Sequence, residues 1–401
     1  MPHPLAFSVE LLTTAFTLLG MGYLFAAIIA ANLFLIERRP PAGSFAPGVS
    51  ILKSLKGLDP SMLDAFRTHC RQNYAGEYEM LFGVASLEDP AAAAVLELQG
   101  EFPERNIRLI ECPERLGTNG KVSTLAQLVP HTRYDYLLIN DSDITVGPNY
   151  LARVMAEFEK QGQRVKGTEG TKPVGLVTAL YRGRAHETVG SRLEALGIAV
   201  EFQPSVLLSR LLERGMRYGL GSTLAVRRDA LEAIGGFPAL ADYLADDYEL
   251  GARVHAAGYA VALCHEPVET SVPAYSWRAF VDHQLRWFRT VRDARPGGYA
   301  GLAVTHAFAW ALLNVIASGV SPLSLWLLAL TFFLRLSMAM TVGVRILRDR
   351  EALSLLWLLP LRDVVSMGLW IAGFAGNTII WRGERFVVRR GKLTRADTAQ
   401  S

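Results

Sequence analysis

The chain has 401 residues, of which 50% are hydrophobic and 20% are Asp, Glu, Lys or Arg. Its mean hydropathy is positive, which excludes an ordinary soluble protein, while the charged fraction excludes membrane helices throughout. A net charge of +3 is too small to make nucleic acid a partner; the arginines cluster beside apolar segments, which suits an anionic membrane surface. Cys70, Cys112 and Cys264 are scattered, have no zinc-site spacing and read as reduced thiols.

Residues 11–36 carry no charged side chain and are long enough to cross a hydrocarbon core of roughly 30 Å. The stretch is too long for a signal-peptide core and no basic region precedes it, so it reads as a retained anchor. Only Glu10 comes before it, whereas Glu37, Arg38 and Arg39 follow. The positive-inside rule then puts the N-terminus outside and the next domain in the cytosol.

From 47 to about 273, short apolar runs alternate with helical stretches. The runs 49–52, 79–85, 107–110, 136–140 and 174–178 are bounded by Gly, Pro or charged residues and nearly continuously apolar, as strands buried on both faces are. Helical stretches such as 61–72 and 89–99 lie between them. This alternation predicts a mainly parallel sheet with helices on both sides. Ligands then collect at the carboxyl ends of the strands, near the switch point.

The acidic groups fall where that geometry puts a site. Asp89 precedes Pro90 after the second apolar run and suits a helix N-cap. Gly117-Thr-Asn-Gly-Lys121 precedes a helical stretch and resembles a short phosphate-contacting loop, although it is not a P-loop. Asp141-Ser-Asp143 follows the fourth apolar run, so both carboxylates can emerge at a strand end. Hard oxygen ligands suit Mg²⁺ or Mn²⁺ on a diphosphate; a polar turn capping the strand uses the same residues. Asp246-Asp247-Tyr-Glu249 starts a helix over 248–257. Its carboxylates suit either the helix dipole or a base for an alcohol.

Residues 277–291 predict an amphipathic helix with an aromatic stripe and basic flanks, suited to a membrane interface. Apolar sequence returns over 299–347, interrupted by Arg335 and a turn at 318–322. It predicts two spans, about 300–318 and 322–343, that return to the cytosol beside Arg345, Arg348 and Arg350. In 353–381, Pro360, Arg362 and Asp363 interrupt the apolar run, and one crossing would export the basic tail containing Arg382, Arg385, Arg389, Arg390, Lys392 and Arg395. The expectation is a re-entrant or interfacial hairpin in which Arg362 and Asp363 pair away from lipid.

Together these motifs resemble glycosyltransferase family 21, the ceramide glucosyltransferase family, which includes hopanoid-modifying relatives. VSILKSLKGLD at 49–59, containing Lys53, is similar to the family's opening strand and loop. LEDPA, DSD and LADDYELG supply the family aspartates at Asp89, Asp141 and Asp247. HQLRW at 283–287 matches the final signature at Arg286 and Trp287, but His283 stands where Gln or Arg is usual.

The resemblance implies a GT-A domain, a Rossmann-like nucleotide-diphospho-sugar transferase fold, with N-terminal and C-terminal transmembrane helices. It implies a UDP-sugar donor contacted by Lys53, Asp89, Lys121 and Asp141, and a divalent cation, Mg²⁺ or Mn²⁺, at Asp141 and Asp143. Asp247 is then the base for a membrane lipid hydroxyl, with Arg286 on the diphosphate and Trp287 at the acceptor mouth. Ceramide is the expected acceptor, a hopanoid polyol the alternative, and the sugar glucose or N-acetylglucosamine. The implied layout is an anchor and linker at 1–46, the cytosolic catalytic domain at 47–275 and an interfacial helix at 276–298. Membrane helices at 299–381 and a basic tail at 382–401 complete it. A processive polysaccharide synthase needs more spans for a polymer channel, and a non-catalytic UDP-sugar-binding adaptor needs no Asp247.

Overall fold

The short apolar runs become strands because both their faces are covered, as their lack of polar alternation requires. The computed structural model describes residues 4–59, 61–159, 172–381 and 384–395. After a long apolar helix, α1 (Pro4–Ile36), come β1 (Val49–Ser54), α2 (Met62–Cys70), β2 (Tyr78–Val84), α3 (Pro90–Glu101) and β3 (Asn106–Glu111). Next are α4 (Gly120–Leu128), β4 (Tyr136–Ile139), β5 (Ile144–Thr145), α5 (Tyr150–Ala156), β6 (Val174–Arg184), α6 (Val189–Gly197) and α7 (Gln203–Leu212). The domain closes with β7 (Leu224–Arg227), α8 (Arg228–Ala233), α9 (Asp246–Ala256) and β8 (Ala260–Ser271).

These strands form one sheet in the order β3-β2-β1-β4-β7-β6-β8-β5. β3, β2, β1 and β4 are parallel, whereas β7 runs antiparallel to both β4 and β6. The sheet is thus parallel in its first half and mixed in its second. Strand order reverses at the β1–β4 pair, so the switch-point crevice opens at the carboxyl ends of these two strands. Asp141 and Asp143 follow β4 there.

The rest of the chain forms α10 (Trp277–Ala294), α11 (Pro296–Gly301), α12 (Ala307–Ala317), α13 (Pro322–Ala339), α14 (Arg350–Leu355) and α15 (Leu359–Gly373). A three-stranded antiparallel sheet ends it: β9 (Thr378–Trp381), β10 (Glu384–Arg389) and β11 (Lys392–Arg395). Among the described residues, Phe7–Ile36, Val189–Leu212, Pro322–Ile346 and Arg350–Gly373 are helical stretches long and apolar enough to cross a membrane.

Three expectations change here. The span expected at 300–318 is not straight: Pro296–Thr305 and Ala307–Ala317 meet at 58°, and the Pro- and Gly-rich first piece is a weak helix former. The stretch 189–212, expected to be part of an ordinary catalytic domain, is apolar and packs α7 on α1 and α6 on α10, α14 and α15. Arg362 and Asp363 do not pair with each other. Neighbours on a helix point about 100° apart, so Arg362 reaches Glu201 at 2.9 Å and Asp363 reaches Arg335 at 2.6 Å.

Both ends of the 350–373 stretch are tied to the catalytic layer. At its start, Arg182 donates to the carbonyls of Leu347 and Arg348 at 2.9 and 3.2 Å. At its end, Arg292 of α10 donates to the Gly373 carbonyl at 2.6 Å. The tail sheet docks on that same layer: Leu393 N–H donates to Asp242 O at 2.8 Å and Leu244 N–H to Gly391 O at 3.1 Å. By length the stretch can cross a membrane, but this geometry favours one that returns to the face it left. A cysteine replacing Lys392 is therefore expected to resist a membrane-impermeant thiol reagent in intact cells and to react after permeabilisation. Labelling of intact cells would mean that 350–373 crosses. Gln400, at the chain's end, lies outside the described residues.

Candidate active site

Asp141 and Asp143 occupy a tight turn after β4, fixed from several sides. Asn140, nearly buried, donates to Tyr150 Oη at 3.0 Å and to the Ser222 carbonyl at 2.7 Å, which ties the 220–223 turn to the Asp141 turn. Ser142 donates to Asp59 at 2.5 Å and Thr270 donates to Asp143 Oδ2 at 2.5 Å. Burial, then the charge of Asp141, pushes the Asp143 carboxyl up to about 6.

Across the crevice, α9 begins with Asp246 and Asp247, which point to different partners. Asp246 Oδ1 accepts from Asn119 Nδ2 at 3.2 Å and its Oδ2 lies 3.7 Å from Lys121. Asp247 Oδ1 accepts from the Tyr248 N–H at 2.8 Å, while its Oδ2 faces Gly221. A Cβ added at Gly221 would meet Asp247 Oδ2 at 3.1 Å and Asp141 Oδ2 at 3.7 Å. Gly221 is thus the floor between the two carboxylates, and any side chain there would intrude on them. Burial and then Asp246 raise the Asp247 carboxyl to about 6, with Lys121 opposing.

Lys121 sits among these acids. Its Nζ is 2.6 Å from Asp141 Oδ1. Burial disfavours its charge, but Asp141, Asp246 and Asp247 outweigh that and hold it protonated well above the usual range. The loop that carries it is built in by Asn119, which caps α4 and donates to the Tyr243 carbonyl at 2.8 Å.

The other expected site residues take different places. Lys53 is wholly buried at the end of β1, with Nζ 3.1 Å from the Asp141 carbonyl and 3.4 Å from His69 Nε2. It supports the Asp141 turn from beneath and does not line the crevice, contrary to a direct donor contact. His69 Nδ1 lies 3.0 Å from the Ala65 carbonyl and its Nε2 3.2 Å from Asn140 Oδ1. Burial lowers Lys53 to about 7 and, with Lys53 adding to it, His69 to about 3. Asp89 caps α3 by accepting from Ala91 N–H at 2.9 Å, and its oxygens also take the Gly57 N–H at 2.9 and 3.1 Å. It clamps the β1 loop at the rim.

Arg286 and Trp287 face different ways from α10. Arg286 lines a cavity of about 320 Å³ with Arg289, Arg385 and Asp282, closed by residues 378–380 of the tail sheet. Trp287 packs against Ala195, Ile198 and Val272. An aromatic wall runs from Tyr181 to Phe202 at 5.7 Å, on to Trp287 at 6.2 Å and to His283 at 5.5 Å. At its Tyr181 end, burial raises the phenol, and the charges of Asp247, Glu194, Asp141 and Asp143 raise it further. Its outer end is α6, α10 and the π-turn 198–202, which pack on the apolar helices.

The carboxylates fit a divalent cation. Asp141 and Asp143 are hard oxygen donors, and burial together with the charge of Asp141 raises Asp143 despite the hydrogen bond from Thr270. Among the described residues no three His, Cys, Asp or Glu side chains converge to hold an ion on protein ligands alone. Phosphate oxygens would have to complete the shell.

A model of Glycosyl transferase family 21 matches residues 12–394. The chain belongs to this family. This family 21 member is 23% identical to "Ceramide glucosyltransferase 3" of Caenorhabditis elegans, over 93% of its own length and 81% of the relative's. It is 22% identical to "Ceramide glucosyltransferase 1" of that organism, over 86% and 72%. Among solved structures, a mannosyltransferase from Pyrobaculum calidifontis in complex with GDP-Man and Mn²⁺ covers 91% of this chain and 97% of its own, with a TM-score of 0.54 and 18% identity. The sheet is thus the GT-A type of a glycosyltransferase.

Proposed function

We propose that this chain moves a hexose, glucose or N-acetylglucosamine, from a UDP-sugar to the hydroxyl of a membrane lipid, with ceramide the favoured acceptor. The observation that carries the reading is the Asp247 carboxylate facing Asp141 across Gly221, at the inner end of an aromatic path that leads to apolar helices. The lipid acceptor is supported by the packing of α6 and α10, which carry the outer end of that wall, against the apolar helices, and by the ceramide glucosyltransferase names of the two Caenorhabditis relatives.

Asp247 takes the proton of the lipid hydroxyl as that oxygen bonds to the anomeric carbon, and the bond from that carbon to the diphosphate oxygen breaks with inversion. Asp141 and Asp143 would hold the Mg²⁺ or Mn²⁺, whose charge favours departure of UDP. Lys121, already within the acid cluster, supplies a fixed positive charge beside the diphosphate. With arginines concentrated near the helix ends, the catalytic layer faces the cytosol.

The test is lipid mass spectrometry of a host expressing the chain, with Asp247→Asn as control. A new hexosyl- or N-acetylhexosaminyl-lipid present only with the unmodified chain is expected, and its aglycone distinguishes ceramide from a hopanoid polyol. Polysaccharide without glycolipid would overturn the reading. In calorimetry on the solubilised protein, UDP binding is expected to need Mn²⁺ or Mg²⁺; equal affinity in EDTA would remove the metal from the site.

A further inference from the structure

His283 stands where the family signature has Gln or Arg, and the structure gives it a defined chemistry. Its Nδ1 lies 2.9 Å from Glu194 Oε2. A carboxylate only accepts, so Nδ1 carries the hydrogen, and the neutral imidazole then presents a bare lone pair at Nε2. No hydrogen bond from a described residue reaches Nε2.

The ring is held firmly. It stacks on Tyr275 with centroids 5.2 Å apart. Glu194 is itself buried at 4% exposure and takes a second bond from Gln284 Nε2 at 3.2 Å. Gln284 is fixed in turn by Arg362, whose guanidinium donates to Gln284 Oε1 at 3.0 Å. Glu194 therefore sets both the orientation and the tautomer of His283.

The position is on the acceptor path. His283 adjoins Trp287. The half-buried Tyr275 on which it stacks follows β8, whose Thr270 donates to Asp143 in the reaction crevice.

We infer that His283, oriented by Glu194, is a specificity residue whose Nε2 accepts a hydrogen bond from a second O–H or N–H of the acceptor, beside the reacting hydroxyl. An arginine there offers only donors, and a glutamine offers both kinds. The histidine offers an acceptor alone, and so selects lipids that carry a neighbouring donor, such as an amide N–H or a second hydroxyl. This rests on the lipid-acceptor reading above.

The test compares a ceramide with its analogue methylated on the hydroxyl next to the reacting one, at pH 8 in detergent micelles. The unmodified enzyme is expected to prefer ceramide in kcat/KM by about 10-fold, the worth of one hydrogen bond left unmade. His283→Phe keeps an aromatic face on Tyr275 but loses both nitrogens. His283→Asn keeps a donor for Glu194 and loses only the Nε2 position. Both are expected to bring the ratio near one by raising the KM for ceramide, with the KM for UDP-sugar unchanged, which also reports that the fold survives. Glu194→Gln, which loosens the tautomer, is expected to give an intermediate ratio. An unchanged ratio in His283→Asn overturns the inference while leaving the enzyme a lipid glycosyltransferase. Inactivity of the unmodified chain on every lipid alcohol overturns the function and the inference together.

Discussion

Asp247→Asn is expected to lower turnover by roughly 10²–10⁴-fold, the range for loss of a general base, while UDP-sugar affinity stays near its original value. The amide keeps the shape that Gly221 accommodates and can no longer take a proton. Asp246→Asn is expected to act differently, because Asp246 faces Asn119 and Lys121 and not the crevice floor. Its loss loosens the Lys121 loop and is expected to raise the donor KM more than it lowers turnover. The pH profile adds an independent check. The base works only when deprotonated, and its carboxyl is raised to about 6, so kcat is expected to climb as pH rises through that value and level off near neutrality. The same shift has the opposite sign for stability. A carboxyl raised in the folded state favours its protonated form, so its contribution to folding is lost as pH rises through the same window. Activity is thus drawn at some cost from a strained charge pair. An Asp247→Asn enzyme with a normal rate, or with an unaltered acid limb, would remove Asp247 as the base.

How much of this was legible before the structure differs by element. The parallel half of the sheet was readable because β1, β2, β3 and β4 are short apolar runs with clear borders. β7 and β8 were not, since Leu224–Arg227 has three apolar residues running straight into Arg227 and Arg228, and Ala260–Ser271 mixes Cys, His, Glu and Pro. The aspartates at strand and helix starts were visible as candidates through position and family resemblance. The resemblance also gave them roles, but the contacts that set Asp246 and Asp247 apart were not legible, because they run through Asn119 and Gly221, which are remote in sequence. The Gly-Thr-Asn-Gly-Lys loop carried a signal for Asn119, but a capping asparagine and a site asparagine look alike in a string of letters.

Buried charge was the least legible feature. Lys53, in a motif that invites donor contact, is turned inward by the alternation of β1 and held by a neutral histidine. Arg362 and Asp363 are adjacent in sequence, which suggests a pair that helix geometry forbids. Glu194 and Glu201 lie in a stretch that reads as soluble-domain helix, and only the fold brings them against α10 and α15. Glu194 finds His283 89 residues away and Glu201 finds Arg362 161 residues away, beyond the reach of any local pattern.

That last network carries the second large effect. Arg335 and Asp363 are both nearly buried, at 4% and 6% exposure, on helices α13 and α15. The guanidinium is bidentate, with Nε 3.1 and 2.9 Å from the two carboxylate oxygens and Nη2 at 2.6 Å from Oδ1. Arg335 also donates to the Val200 carbonyl, in the π-turn that leads to Phe202 and the aromatic wall. Removing one partner leaves the other charge buried and unpaired, a loss of about 3–5 kcal/mol. Asp363→Ala is therefore expected to lower the unfolding temperature in detergent by on the order of 10 °C. Arg335→Met with Asp363→Leu removes both charges and fills the space, and is expected to recover most of that stability. Glycosylation by the double variant should still fall, because the Val200 carbonyl loses its donor and the Phe202 end of the acceptor path is no longer held. The discriminating result is non-additivity: if Arg335→Met and Asp363→Leu separately cost as much as their sum in the double variant, the pair is not coupled and the network does not brace the acceptor path.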